Sequence, residues 1–267
     1  MSSGNKAIRN TSKKRYIILG AVFYLTLLVA YAPASILSWA IEKSGIREIG
    51  LRNTSGSLWN GSGQLVSLSG KNKAYILTKL DWDISLGNLF LGKLKTYINF
   101  SDDALMGKAT VALGFGSINI ENLKLGLPAS TISQFYKPAA LMSPSGNITI
   151  NSKKLELTRD SISGKAKLQW HDAGSRLSSV RPLGDYELLI TSNKEGSKAN
   201  IRIKTLAGAL NATANGAWDI AKTGALTLNG HVTPVSNKAE LEPLLRLLGR
   251  DMGGGKRALR VNTKLSL

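Results

Sequence analysis

"GDYELLITS", residues 184–192, alternates with a period of two: Tyr186, Leu188 and Ile190 share one face, and the residues between them share the other. A half-buried β-strand requires this pattern, because successive side chains point to opposite sides of a sheet. "NIRIKTL", residues 200–206, repeats it with Ile201 and Ile203. "GKLKTYINF", residues 92–100, sets Leu94, Ile98 and Phe100 against Lys93, Lys95, Tyr97 and Asn99. Shorter alternations occur at Val111 and Leu113, Ile118 and Ile120, Ile148 and Ile150, and Leu226 and Leu228. Turn signals stand between the runs: Asn60-Gly61, Asp102-Asp103, Ser145-Gly146, the segment 193–196, Asn215-Gly216 and Asn229-Gly230. Strands at hairpin spacing with no long helix between them predict a mostly β fold with a largely antiparallel sheet.

Two stretches read as helices. Residues 129–141 follow Pro128 and are interrupted by Pro138. "NKAELEPLLRLLG", residues 237–249, has the Asn237 to Glu240 spacing of a capping box, an apolar stripe at Leu241, Leu244, Leu245 and Leu248, and a terminating Gly249. Pro243 must kink this helix or lie in its first turn. In chain order the elements suggest a duplication. A Gly-rich hairpin, Leu80-Asp81-Trp82, a strand led by Gly92, Leu127-Pro128 and a helix are answered by "SPSGNITI", Leu168-Gln169-Trp170, a strand led by Gly184, Thr233-Pro234 and the Leu-rich helix. The expected organisation is two β halves, residues 42–142 and 143–267, each closed by a short helix.

Ahead of the strands, residues 16–41, "YIILGAVFYLTLLVAYAPASILSWAI", run for 26 positions without a charge, where about 20 suffice to cross a bilayer as a helix. Lys6, Arg9, Lys13, Lys14 and Arg15 precede the run with no acid among them, so positive charge should hold residues 1–15 in the cytoplasm. A cleaved signal peptide is the competing reading, since "AYAPA" has small-x-small spacings. Pro33 after the first candidate cut and apolar character continuing through Ile36, Leu37, Trp39 and Ile41 favour an uncleaved anchor over 16–41, with Trp39 at the far interface.

The 267 residues leave room for that anchor and one large or two small domains. The net charge of +18, from 35 basic and 17 acidic residues, fits nucleic acid, anionic lipid or an acidic partner. Beyond the first fifteen positions the basic residues are scattered singly on alternating strands, and no nucleic-acid recognition motif accompanies them, so the charge reads as a solvated strand face. The absence of cysteine excludes disulfides, thiolate metal sites and a cysteine nucleophile.

No catalytic, cofactor-binding or metal-binding residue is assigned. His171 and His231 lie sixty positions apart without clustered carboxylates, and His171-Asp172 reads as a turn after Trp170. "GGGK", residues 253–256, has Arg257 where a phosphate loop needs Ser or Thr, and reads as a flexible linker. Asp81 and Asp83 flank Trp82 on one side of a strand, a spacing open to acid-base work but more usual on a solvated face. "SGSLWNGSG", residues 55–63, reads as a hairpin corner with Asn60-Gly61 supplying its turn.

The basic tail and anchor followed by "GSLWNGSG", "LDWDISLGNLFLGKL", "RPLGDYELLI" and "LLRLLGRDMGGGKRAL", in that order, resemble the type II secretion system protein N family. The resemblance implies a single-pass protein of the bacterial inner membrane with its amino terminus cytoplasmic and its β-domain periplasmic. It also implies a non-enzymatic accessory role in moving folded proteins across the outer membrane. The implied partners are other secretion components and exoproteins, with no cofactor, no nucleic acid, and no catalytic residues carried over. A rival reading is an AsmA-like lipid-binding or lipid-transfer protein, in which amphipathic strands form an apolar trough and leave Leu94, Ile98 and Phe100 accessible.

Overall fold

The computed structural model describes residues 6–44, 49–69, 73–85, 87, 94–103, 105–114, 116–135, 137–158, 161–192, 196–220 and 224–264. Gly92, Lys93 and residues 193–195, used in the strand and turn readings, lie outside them. The chain begins with helices α1 (Lys6–Ala30) and α2 (Ser35–Lys43). Strands β1 (Ile49–Gly56), β2 (Asn60–Ser69), β3 (Lys73–Ser85), β4 (Leu94–Asp102), β5 (Leu105–Gly114) and β6 (Ser117–Pro128) follow. A 3-10 turn at Ala129–Thr131 leads into α3 (Ile132–Phe135) and α4 (Lys137–Met142). Next come β7 (Ser145–Thr158), β8 (Ile162–Gly174), β9 (Gly184–Ser192), β10 (Lys198–Gly208), β11 (Leu210–Asp219) and β12 (Ala225–Pro234). Helix α5 (Lys238–Leu248), β13 (Asp251–Gly253) and β14 (Lys256–Lys264) complete the chain.

All fourteen strands form one antiparallel sheet in the order β1 through β12, then β14 and β13. Among the described residues, the one departure from a simple meander is β13, folded back outside β14 through the "GGGK" stretch. That stretch is therefore the tight turn of a hairpin and not a linker. The boundary expected at residues 142 and 143 falls inside a continuous sheet, because β6 pairs directly with β7 from Ser117↔Thr158 to Pro128↔Asn147. The two halves would therefore share one sheet. The helix-closed strands β6 and β12 are six antiparallel steps apart and run the same way. The two Leu-x-Trp strands, β3 and β8, are five steps apart and run oppositely.

Cross-strand register puts one apolar face on a single side of the sheet. One row runs Leu80, Phe100, Gly107, Leu125, Ile150, Leu168, Leu188, Ile203, Ala214, Gly230 and Leu259, crossing from β3 to β14 without interruption. All the helices that follow α1 gather on this face. At one end of the strands, Leu37 and Ile41 of α2 pack on Ala34, Leu51, Trp82 and Ile84. At the opposite end, Leu241, Leu244 and Leu245 of α5 bury against Val180, Leu183, Leu210, Ala212 and Val232. Each of the three leucines is no more than 1% exposed, which is worth roughly 1.5–3 kcal/mol apiece.

Several local expectations are corrected. The uncharged run 16–41 is not one helix: Pro33 has no N–H to continue the ladder, and the chain breaks between Ala30 and Ser35. Residues 16–30 span only about 22 Å at roughly 1.5 Å per residue. Among the described residues no helix is long and apolar enough to cross a membrane. Asn237 adopts a left-handed conformation with no side-chain cap, so the capping box does not form, and Pro243 sits inside α5 beyond its first turn. Asn215-Gly216 and Asn229-Gly230 are not turns but interior strand pairs, with Asn215 directly opposite Asn229, and Asn60-Gly61 opens β2 just after its hairpin turn. His171-Asp172 lies within β8 at an irregularity of register, not in a turn.

Candidate functional site

Three places combine exposed surface with defined geometry. The first is the corner formed by "SGSLWNGSG". Its turn centres on Leu58 and Trp59, two residues earlier than expected, closed by the Ser57 amide donating to the Asn60 carbonyl at 2.9 Å, and Gly56 pairs with Gly61 across it. Gly61 is needed for close approach: a Cβ there would lie 2.7 Å from both the Ser55 carbonyl oxygen and the Trp82 ring. The corner grips the break between α1 and α2. The Leu58 amide donates to the Ala32 carbonyl at 2.7 Å, the Ala34 amide to Gly56 at 3.2 Å, and the Trp59 indole to Val29 at 2.8 Å. Sequence reasoning found the corner but not its role, since nothing in nine residues reveals a partner thirty positions upstream.

The second place is the apolar face itself. Leu94, Ile98, Phe100, Leu125, Ile150, Leu168, Leu188 and Ile203 are all partly exposed, so among the described residues the apolar face is an uncovered strip along the sheet, which we term the trough. At the α2 end, the row Leu94, Leu113, Ile118, Leu157 and Ile162 leaves Leu113 at 41% and Ile118 at 42% exposure. At the other end, α3, α4 and α5 roof the trough over a cavity of about 350 Å³. Its floor includes Leu168, Trp170, Leu188 and Ile203, and its roof Ile132, Met142, Leu244 and Leu248.

The third is an open hollow of about 530 Å³ on the opposite, polar face, lined by Asn60, Asp81, Asp83, Tyr97, Asn99 and Lys108. Asp81 and Asp83 do share a side, and register brings Tyr97 opposite Asp83 and Asn99 opposite Asp81. Tyr97 is a neighbour the linear sequence did not reveal. Asn60 donates to Asp83 at 2.9 Å, so that carboxylate already has a structural partner. The histidines are not brought together. They stand on β8 and β12, with three strands between them and so about 19 Å apart at the usual spacing. His231 faces Thr213 at 3.4 Å, and His171 lies 4.0 Å from Asp185. Among the described residues no group of three or more metal-ligating side chains converges.

Charge is organised on the polar face. Glu187, 11% exposed, lies between Lys204 at 3.1 Å and Lys167 at 3.4 Å on the flanking strands. The hydrogen bond from Lys204, aided by the charge of Lys167, holds its carboxyl below the usual carboxylate range against an opposing burial effect. On the apolar face, burial pushes the Tyr186 hydroxyl up to about 12, with Asp185 adding to the shift, while the hydroxyl donates to the Leu210 carbonyl at 2.9 Å.

The sheet is where comparison with known proteins applies. The profile of the family described as type II secretion system (T2SS), protein N, matches residues 47–260, which covers the sheet from β1 into β14. The curated type II secretion system protein N of Vibrio cholerae serotype O1 is 31% identical over 132 residues, 48% of this chain and 50% of that protein. The chain thus matches about half the length of that relative. No solved structure matches.

Proposed function

The chain belongs to the type II secretion system protein N family, and from that premise we infer that it serves as a non-enzymatic accessory component of the type II apparatus. It is anchored in the inner membrane and helps folded proteins leave the periplasm for the outer membrane. The observation that carries this reading is the extent of the family match, which spans the open sheet almost entire. Helix α1 supports the anchoring part: every described side chain from Lys14 to Ala30 is exposed, with Tyr16, Ile17, Leu19 and Phe23 at 65% or more. A helix apolar all round needs lipid or protein around it. Its short span suits local bilayer thinning, with Lys14 and Arg15 reaching to the cytoplasmic headgroups. Helix α2 belongs to the β-domain, since Leu37 and Ile41 pack on the sheet.

The partner surface we assign is the outer edge of β14. Beyond Lys256 and Arg257, β13 no longer covers it, and residues 259–264 pair only with β12 among the described residues. An uncovered edge of this length accepts an added strand by main-chain hydrogen bonding. Leu259 and Val261 would offer apolar contacts on the trough side, with Arg260 and Lys264 on the polar side.

The test is site-specific photocrosslinking in native membranes from Val261 and Thr263, with Tyr97 on the polar face as a reference position. Adducts to secretion components or an exported protein, at the edge positions in preference to Tyr97, are expected. Normal export from cells lacking the protein, together with no secretion component among the adducts, would overturn the reading.

A further inference from the structure

We propose that the cavity between the sheet and helices α3, α4 and α5 is a binding site for one acyl chain of a membrane lipid. The proposal does not rest on the secretion reading. It rests first on size: about 350 Å³ accommodates roughly a dozen methylene groups at about 30 Å³ each, within the range of small-molecule pockets.

It rests next on polarity. The polar side chains at the cavity wall, Trp170, Ser175, Tyr186 and Glu187, are each engaged within the protein. The Trp170 indole donates to the Ser145 carbonyl at 2.9 Å, the Tyr186 hydroxyl to Leu210 at 2.9 Å, and the Ser175 hydroxyl to Met142 at 2.7 Å. The Glu187 carboxylate faces the lysines of the other side of the sheet. A peptide segment entering here would bring backbone N–H and C=O groups that find no partner, and burying those unpaired is costly. A hydrocarbon chain brings no such group and loses nothing to desolvation. Met142 in the roof, unbranched and adaptable, suits a flexible chain.

The third ground is access. The floor residues Leu168, Leu188 and Ile203 belong to the long apolar row, which continues through Ile150 and Leu125 to Phe100 and Leu80. That row is half-buried from Ile203 to Leu80 and leads toward β3, against which α2 packs, while the end of α1 is held at the adjoining β1–β2 corner through Trp59. A chain leaving a bilayer around α1 therefore meets an apolar surface continuous with the cavity.

The test uses the full chain in phosphatidylcholine nanodiscs doped with a phosphatidylcholine bearing a photoreactive diazirine on one acyl tail, the adducts being mapped by mass spectrometry. Adducts on Met142, Leu188 and Leu244 are expected. Ala139→Trp, which fills the cavity from α4, should lower their yield about tenfold while adducts on α1 stay unchanged. Leu248→Trp blocks it from α5 and gives the same result if the first variant does not fold. Adducts confined to residues 16–30, or cavity adducts undiminished in a folded blocking variant, would overturn the proposal. Protein export is not the readout, so the fate of the secretion reading is decided separately.

Discussion

The indole Nε1 of Trp59 donates to the carbonyl oxygen of Val29 at 2.8 Å, tying the first hairpin of the sheet to the last turn of α1. That carbonyl lies in the last turn of α1 and also accepts from the Ala32 amide at 3.2 Å. With the Leu58 and Ala34 amides bonded on either side of Pro33, the β1–β2 corner holds the helix break by main chain as well as side chain. The sheet is therefore oriented relative to α1 by a short clasp and not by a linker.

Trp59→Phe keeps most of the ring and removes the donor. A loss of about 1 kcal/mol is expected, or a fall of roughly 2–4 °C in melting temperature. Cleavage by a protease between residues 31 and 34 should rise in parallel, as measured by intact mass. An unchanged cleavage rate would show that the clasp does not hold the junction.

Gly61→Ala should destabilise by about 2 kcal/mol or more, because the new methyl meets the Ser55 and Ser57 carbonyls and the Trp82 ring at once. Gly126→Ala is the control. Its Cβ would come no closer than 3.8 Å to Met106, so a change within about 0.5 kcal/mol is expected in urea unfolding.

Leu244→Ala on the buried stripe of α5 should cost about 2–5 kcal/mol, whereas Leu247→Ala, at a residue 68% exposed, should cost less than about 0.5 kcal/mol. Equal effects in thermal unfolding would mean that α5 is docked by a different face.

Among the described residues, two groups make stability depend on pH through a shifted titration. The Glu187 carboxyl titrates lower in the folded chain than unfolded, so its contribution is present above the ordinary carboxylate range and is lost as pH falls through the folded value. Glu187→Gln should flatten the acid limb of the stability curve. Tyr186 is raised to about 12, so the folded state favours the neutral phenol. Its contribution is full below the unfolded value of 10.0 and declines as pH rises from there to about 12. Allowing for solvent screening, that loss is about 1–2 kcal/mol. Tyr186→Phe should remove this alkaline loss, read by chemical denaturation at stepped pH.

The strands were legible because each presents a two-residue period that only one backbone conformation satisfies. Tyr186, Leu188 and Ile190 lie on the trough side as the alternation requires, and the leucine stripe of α5 is buried where the helical period put it. The Asn-Gly pairs misled for a physical reason. The dipeptide favours a tight turn, but Gly230 is in extended backbone facing Ala214, where a Cβ would come within 2.5 Å of the Ala214 side chain. Glycine serves there to let two strands approach, a demand made by a neighbour and invisible along the chain. In the hollow on the polar face, Tyr97 joined Asp83 only through register, which no local pattern encodes.

Period, charge order and motif order are properties of the chain read in a line, and they were enough for strand identity, antiparallel pairing and family. Whether the apolar faces close on one another or stay open is a property of the whole sheet. Among the described residues the strands form one sheet with β1 and β13 as separate ends, and no second sheet covers the row from Leu80 to Leu259. Where helices do cover it, a cavity of about 350 Å³ remains between them and the floor of the sheet. The split of the uncharged run was likewise decided in three dimensions: Pro33 permitted the break, and the hydrogen bonds of Leu58, Trp59 and Ala34 to distant backbone made it worth keeping.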